Sequence, residues 1–240
     1  MHPTMKSDAR YPLILPLLFT IACQSPDPAS IQEQSVRPNV NVRFLDPNLD
    51  LAALKNTFEG ESREVSKQRN LIAAALNLRA GMVVADIGAG TGLFMALLAD
   101  GVGESGHVYA VDISPKFIEH IETRIADAGF NNVEAVLCSE TSAELPDASV
   151  DLAFVCDTYH HFEYPRSTLT TLHRAIRPGG ELVIVDFERI PGVSRQWVLD
   201  HVRIGKNATT EEIVEAGFRL VDEVAIPGLS ENYFIRFQRQ

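Results

Sequence analysis

The stretch Val83 to Phe94, VVADIGAGTGLF, constrains the fold of this chain more than any other part of the sequence. Its first residues are apolar and predict a buried strand that ends at Asp86, and three closely spaced glycines and a helix follow. A strand, a glycine-rich turn and a helix in this order form the first half of a nucleotide-binding βαβ unit. The glycines let the backbone turn sharply and approach a ligand, and the start of the helix offers free N–H groups.

The spacing of the glycines and the acid before them indicate the kind of nucleotide. Gly88, Gly90 and Gly92 are followed by Leu93, so the third glycine comes one residue earlier than in the dinucleotide pattern G-x-G-x-x-G. Asp86 would lie near a pyrophosphate and repel it, whereas a cationic ligand would be attracted. S-adenosylmethionine carries an ammonium and a sulfonium and has no phosphate. The stretch resembles the first motif, acid-x-G-x-G-x-G, of the class I S-adenosylmethionine-dependent methyltransferases.

Further features extend this resemblance over roughly Arg63 to Gln240. Asp112 ends the second predicted strand, 22 residues after Gly90, at about the distance where an acid meets ribose hydroxyls in such units. A Leu-Pro pair at 145–146, an HHF loop at 160–162 and a Pro-Gly-Gly turn at 178–180 follow in order. The resemblance implies an α/β fold, a doubly wound Rossmann-like seven-stranded sheet with helices on both faces. The implied strand order is 3-2-1-4-5-7-6, with the last strand antiparallel.

The resemblance also implies the cofactor and its contacts. S-adenosylmethionine would be bound by the first motif and by the ends of the following strands, with Ile113 against the adenine and Asp157 near the methionine end. Glu140 stands near the place where many members of the family have an Asp that accepts from the adenine amino group. The expected cofactor-binding residues are Asp86, Gly88, Ala89, Gly90, Gly92, Asp112, Ile113, Glu140 and Asp157.

The loop after the fourth predicted strand, DTYHHFEYP, contains the candidates for catalysis. His160 or His161 is predicted to be the general base, because an imidazole titrates near neutral pH and this loop should face the transferred methyl. Tyr159 is predicted to orient the acceptor. The long segment Asp186 to Lys206, after the fifth strand, is predicted to cover the acceptor.

Two further functions and one metal site are alternatives to this interpretation. A non-catalytic adenosine-binding lipoprotein remains open, and a nicotinamide-dependent oxidoreductase is disfavoured by the early third glycine. No metal is predicted, because no tight ligand spacing supports a site. The residues that such a site would use are Asp157, His160, Asp186 and His201.

Composition limits the partners. With 240 residues, 45% of them apolar, the chain can form one globular domain with a substantial core. Its formal net charge is −11, and no basic patch is available to neutralise phosphates, which argues against nucleic acid. A small-molecule acceptor is therefore expected; the oligomeric state is not predicted.

The N-terminus predicts export. Lys6 and Arg10 precede an apolar run over residues 11–22, which is shorter than the ~20 residues that span a bilayer and ends at Cys23. This order resembles a bacterial lipoprotein signal, so membrane contact is expected only through a lipid on Cys23, on the periplasmic side; without a functional signal the protein would be cytoplasmic. The predicted segments are a signal over 1–23, a flexible proline-containing linker over 24–48 and the methyltransferase domain over 49–240.

Overall fold

Seven strands form one sheet at the centre of the molecule. The computed structural model describes residues 33–60 and 63–240, together with Met1. The strands are β1 (Val83–Ile87), β2 (His107–Asp112), β3 (Val133–Leu137), β4 (Val150–Cys156), β5 (Ile176–Phe187), β6 (Phe218–Glu223) and β7 (Asn232–Arg239). Their order is β3-β2-β1-β4-β5-β7-β6. The pairs from β3 to β5 are parallel, and β7 is antiparallel to both β5 and β6. The predicted fold class and strand order are confirmed.

Within residues 33–60 and 63–240, eight helices connect and cover the strands. They are α1 (Leu51–Phe58), α2 (Glu64–Lys67), α3 (Arg69–Ala75), α4 (Met95–Val102), α5 (Pro115–Ala128), α6 (Pro165–Ala175), α7 (Gln196–His201) and α8 (Lys206–Glu215). A 3₁₀ turn over Tyr159–His161 follows β4. None of the helices in the described part of the chain combines the length and apolarity needed to cross a bilayer.

The core lies on both faces of the sheet, because side chains alternate along each strand. On one face Val84 of β1 and Phe154 of β4 pack in the cluster that contains the buried residues of α3, α4 and α5. On the other face Ala85 and Val155, the next residues along the same strands, pack in the cluster of α6 and α8. Both faces are filled by apolar side chains, so the polar ends of the strands are the natural place for a ligand.

The segment before β1 contains two short helices, α2 and α3, rather than one continuous helix. Gln68 has φ −98° and ψ 11°, outside helical values, and it separates α2 from α3. The short first helix is held by a tertiary contact, since the carboxylate of Glu64 accepts from the backbone N–H groups of Ser230 and Glu231, at 2.6 and 2.8 Å. Apolar periodicity carries no information about this contact.

The predicted linker requires a correction. Residues 33–240 form one compact unit, so residues 33–48 belong to the fold rather than to a tether. The Glu33 carboxylate accepts from the N–H groups of Arg166 and Ser167, at 2.9 and 2.7 Å, and the N–H of Val36 donates to the carbonyl of Glu163 at 3.0 Å. These polar contacts replace the solvent contacts expected of a polar, proline-containing segment. The predicted signal, including Cys23, and the linker residues before 33 lie outside the described residues, Met1 excepted.

Candidate active site

The glycine turn after β1 is held against β2 and faces a cavity. The N–H groups of Gly88 and Ala89 both donate to the carbonyl of Val111, at 2.8 and 3.0 Å. Gly90 has φ +55°, a conformation that side chains other than glycine rarely adopt, and an added Cβ would meet no atom closer than 3.9 Å. The backbone at Gly90 is therefore open to a ligand. Gly88, Ala89 and Gly90, which are among the residues predicted to bind the cofactor, line the cavity.

Gly92 lies behind this turn and does not line the cavity, contrary to the prediction of a cofactor contact. An added Cβ there would come within 3.1 Å of the Arg124 guanidinium, which donates to the carbonyls of Thr91 and Gly92. Gly92, with φ +79°, allows the backbone to turn into α4 beside that arginine. Its role is to shape the turn.

Three carboxylates line the cavity at the ends of β1, β2 and β4: Asp86 and Asp112 are buried, and Asp157 is partly buried. Burial, and then the neighbouring Asp112, raises the pKa of Asp86 from its ordinary value of 3.8 to about 7. Burial raises the pKa of Asp112 to about 6, against the opposing effect of N–H groups that donate to it. Burial raises the pKa of Asp157 to about 6 although Arg63 opposes the rise. Carboxylates held in this way attract a cation, because it restores their ionised form.

Asp112 also holds the glycine turn. Its Oδ2 accepts from the N–H of Gly90 and its Oδ1 accepts from the N–H of Ser114, both at 2.8 Å. The carboxylate thus links β1 to the start of α5 while remaining at the cavity wall, and the adjacent Ile113 lines the same wall. The contacts of Asp112 to ribose and of Ile113 to adenine stay predictions.

Asp157 is fixed by its backbone and by two partners. It has φ +49°, which is uncommon for a residue other than glycine and often marks functional sites. Its carboxylate is paired with Arg63 and accepts from Asn232 Nδ2 at 2.7 Å. Arg63 and Phe58 both line the cavity, so the residues around the start of α2 cover it.

The cavity has a volume of about 720 Å³ and extends from the glycine turn to a group of aromatic and imidazole rings. Phe187 ends β5 and Trp197 lies on α7, within the segment predicted to cover the acceptor. Asn41 and Phe44 contribute from the N-terminal segment that sequence reasoning assigned to a linker. The apolar residues around them, Val40, Val42, Phe44 and Leu45, do not by themselves predict a wall of the site.

Three histidines meet at this end of the cavity. His160 is 3% exposed, and its ring Nδ1 lies 2.7 Å from Asp186 Oδ1. The backbone N–H of His160 donates to Asp186 Oδ2 at 3.1 Å. His161 Nε2 lies 3.3 Å from His201 Nε2. The ring centroid of His160 lies 4.4 Å from that of His161 and 5.1 Å from that of His201. All three residues line the cavity. We call His160, His161 and His201 the histidine triad.

Burial lowers the pKa of two members of the triad. It lowers the pKa of His161 to about 2, and the neighbouring His160, His201 and Arg37 act in the same direction. It lowers the pKa of His201 to about 4, again with His160 and Arg37. The expectation that the base titrates near neutral pH therefore does not hold for His161, which is a neutral imidazole throughout the physiological range.

Tyr159 and Glu140 lie away from the cavity. Tyr159 is 1% exposed, and its hydroxyl donates to Glu212 Oε2 at 2.8 Å, so it points into the core toward α8 rather than to an acceptor. The carbonyl of Glu140 accepts from Thr168 at 3.2 Å, and its side chain does not reach the cavity wall. Adjacent residues of a turn face different ways, which is why His160 enters the site and Tyr159 does not.

The residues present fit S-adenosylmethionine. The open backbone at Gly90 gives room for a ligand, and Asp112 lies beside it at the end of β2. The pKa of Asp86, raised to about 7, marks a buried carboxylate that a positively charged group would stabilise. An ammonium and a sulfonium provide such charge without phosphate. Asp86, Asp112 and Ile113 would hold the cofactor from the sides of β1 and β2.

Comparison with known proteins gives a consistent result. A family model described as a methyltransferase domain matches residues 78–222. A protein-L-isoaspartate O-methyltransferase of Methanothrix thermoacetophila is 34% identical over 109 residues, which is 45% of this chain and 49% of that protein. A ubiquinone/menaquinone biosynthesis C-methyltransferase of Bordetella avium is 31% identical over 114 residues, 48% of this chain and 44% of that protein. The chain thus spans about half the length of these curated relatives.

A solved structure agrees in fold. The crystal structure of an S-adenosylmethionine-dependent methyltransferase from Aquifex aeolicus superposes with a TM-score of 0.70 at 24% identity. The match covers 80% of this chain and 99% of that one.

Proposed function

This chain belongs to the S-adenosylmethionine-dependent methyltransferase domain family, and we propose that it methylates a small molecule bound beside the cofactor in the same cavity. S-adenosylmethionine supplies the reactive methyl group; the protein aligns a nucleophile with it and excludes water. The proposed step is a direct displacement, in which the acceptor bonds to the methyl carbon and the carbon–sulfur bond breaks. The electron pair stays on sulfur, and S-adenosylhomocysteine leaves.

The observation that carries this proposal is the continuity of one cavity of about 720 Å³ from Gly90 to the histidine triad. A cavity of this size lies in the range of small-molecule sites. Its cofactor end is acidic and its far end is formed by Phe44, Phe187, Trp197 and the imidazoles. These rings favour an acceptor with an apolar or aromatic body and one polar reacting group.

The walls of the far end support a small acceptor rather than a protein side chain. Asn41 Nδ2 donates to the carbonyl of His161 at 3.1 Å, and the ring of Phe44 lies 5.2 Å from that of His161 in an edge-on arrangement. Trp197 stacks on His201 with ring centroids 4.6 Å apart. The N-terminal segment and α7 thus enclose the acceptor end from two sides.

The named relatives do not select the acceptor. One is named for transfer to oxygen on a protein and another for transfer to carbon on a quinone precursor. The names of these relatives therefore do not identify the acceptor or its reacting atom, and an experiment is needed to identify them. Nucleic acid is disfavoured by the net charge of −11.

The test is transfer of a labelled methyl group from S-adenosylmethionine to a cell extract that has been separated into low-mass and macromolecular fractions. We expect the label in the low-mass fraction with the wild-type protein. Gly90→Val is the negative control, because a side chain there enters the cofactor's path. Label found only in macromolecules, or label that is unchanged by Gly90→Val, would contradict the proposal.

We also propose that the protein is exported and anchored through a lipid on Cys23. The support is the order of basic residues, apolar run, small residue and cysteine over residues 6–23. An exported enzyme would need a supply of its cofactor outside the cytosol, so this proposal stands apart from the chemistry and is tested separately.

A further inference from the structure

We propose that the histidine triad binds a divalent transition-metal ion, with zinc as the best match, at the acceptor end of the cavity. One ring nitrogen from each of the three residues lies within 4.8 Å of the other two. Imidazole nitrogen is a preferred ligand of zinc, copper, iron and nickel, whereas magnesium and calcium prefer oxygen. Three protein ligands with a fourth position open to a cavity are typical of catalytic zinc sites.

The distance between two of the rings fits a shared ion. Two nitrogens bound at about 2.0–2.1 Å to one tetrahedral ion lie about 3.3–3.4 Å apart. His161 Nε2 and His201 Nε2 are 3.3 Å apart. This distance is beyond the ~2.7–3.2 Å typical of hydrogen bonds from protein N–H groups. Two lone pairs that converge on one ion account for the spacing better than a hydrogen bond does.

The third ring is oriented by a carboxylate. Asp186 holds Nδ1 of His160 at 2.7 Å, and both side chains are 3% exposed, so Nε2 is the nitrogen that His160 can offer to a ligand. In metal sites, a carboxylate commonly accepts from the histidine nitrogen that does not bind the metal. This contact fixes the tautomer and raises the basicity of the nitrogen that binds the metal. Asp186 accepts in addition from the N–H groups of His160 and Phe187, which fixes the carboxylate itself.

The other two rings are positioned by packing. Trp197 stacks on His201 at an interplanar angle of 22°. Phe44 packs edge-on against His161. Nδ1 of His161 is buried and has no hydrogen-bond partner among the described residues. This atom is not the one that faces His201, so the support for the site comes from the Nε2 atom of His161 and not from Nδ1.

Two groups of opposite charge flank the triad. The carboxylate of Asp186 contacts His160 and favours a cation. The guanidinium of Arg37 disfavours one, and it donates to the backbone carbonyls of His201 and Asp200. An ion at the triad therefore gains the carboxylate of Asp186 as a neighbour through His160.

The use of this ion in catalysis rests on the proposed function. A hydroxyl or thiol acceptor would occupy the open coordination position, and the ion would lower its pKa. The proton leaves to solvent, the anionic oxygen or sulfur attacks the methyl carbon, and the electrons of the carbon–sulfur bond remain on the cofactor's sulfur. The substrate class that follows is an apolar or aromatic compound with a metal-coordinating hydroxyl or thiol group.

Metal binding is tested without cofactor or acceptor. Full-length protein without a histidine tag is stripped with a chelator and titrated with Co²⁺, read by its visible absorption, and with Zn²⁺, read by calorimetry. We expect one equivalent and the strong absorption of a four-coordinate cobalt site. His161→Ala and His201→Ala should each weaken binding by at least about a hundredfold, and Asp186→Asn by about 10–100-fold, as for other residues that orient a ligand.

His120→Ala is the matched control, because His120 lies on α5 and lines no part of the cavity. It should leave metal binding unchanged. Retained S-adenosylmethionine binding by each variant would show that the variant is folded. The metal site would be overturned if the wild type failed to bind one equivalent, or if His161→Ala and His201→Ala bound the metal as tightly as the wild type. Metal binding without any methyl transfer would instead contradict the proposed function, so the two failures are distinguishable.

Discussion

Replacing Asp86 by Asn should stabilise the free protein and weaken its binding of the cofactor. Asp86 is 3% exposed at the end of β1, and burial raises its pKa from 3.8 to about 7. Because the folded-state pKa is the higher one, stability is greatest below the unfolded pKa and is lost as the pH rises toward about 7. The full difference corresponds to about 4 kcal/mol, at ~1.4 kcal/mol for each pH unit of pKa.

Asn remains neutral at every pH, so it avoids most of this cost. A buried amide still needs a polar partner, and we therefore expect a gain of about 1–3 kcal/mol in unfolding free energy at pH 7.5. The measurement is urea unfolding of the free protein at pH 5 and pH 7.5. The gain should be smaller at pH 5, because Asp86 is then protonated in the folded wild-type protein.

Folding favours the protonated form of Asp86, whereas cofactor binding should favour the ionised form. A cation beside Asp86 favours the ionised carboxylate, so the wild-type affinity for S-adenosylmethionine should rise roughly tenfold between pH 6 and pH 7.5. Asp112 and Asp157, whose pKa values are raised to about 6, titrate in both proteins, so the difference between the two isolates Asp86. Calorimetry that gives the same affinity and the same pH slope for Asp86→Asn would refute this reasoning.

Three further predictions concern the cofactor site and the cell. Asp112→Ala should weaken S-adenosylmethionine binding by about 1.5–3 kcal/mol, which is roughly tenfold to a hundredfold or more in affinity. The variant loses a charge-assisted contact to the cofactor and the acceptor that holds the Gly90 N–H. Unchanged binding by calorimetry would remove Asp112 from the site. Gly90→Val should abolish detectable binding, whereas Gly129→Val, also at positive φ but with no atom within 4 Å of an added Cβ, should reduce stability and leave affinity unchanged. Cell fractionation and mass spectrometry should find a mature protein that begins at lipid-modified Cys23; full-length soluble protein in the cytosol would contradict export.

The sequence by itself determined the sheet and the cofactor end of the site. Local patterns sufficed there, because Asp86, the glycines and Asp112 lie at the ends of consecutive strands, and parallel strands bring such ends to one edge. The strand order followed from a resemblance rather than from periodicity. The order includes pairs of strands that are distant along the chain, such as β1 with β4, which local patterns do not record.

The acceptor end was decided by tertiary structure. Asn41 and Phe44 lie in a segment whose composition predicts a linker, and His201 lies 40 residues beyond His161, yet all three meet at one end of the cavity. The direction of a side chain in a turn is also invisible to sequence patterns, as Tyr159 illustrates.

The physical reason is the range of the forces involved. Glycine conformation, helix starts and alternating burial act within a few residues, and a sequence records them directly. The burial that lowers the pKa of His161, and the packing that brings three imidazoles within 4.8 Å, arise only when distant elements close over one another.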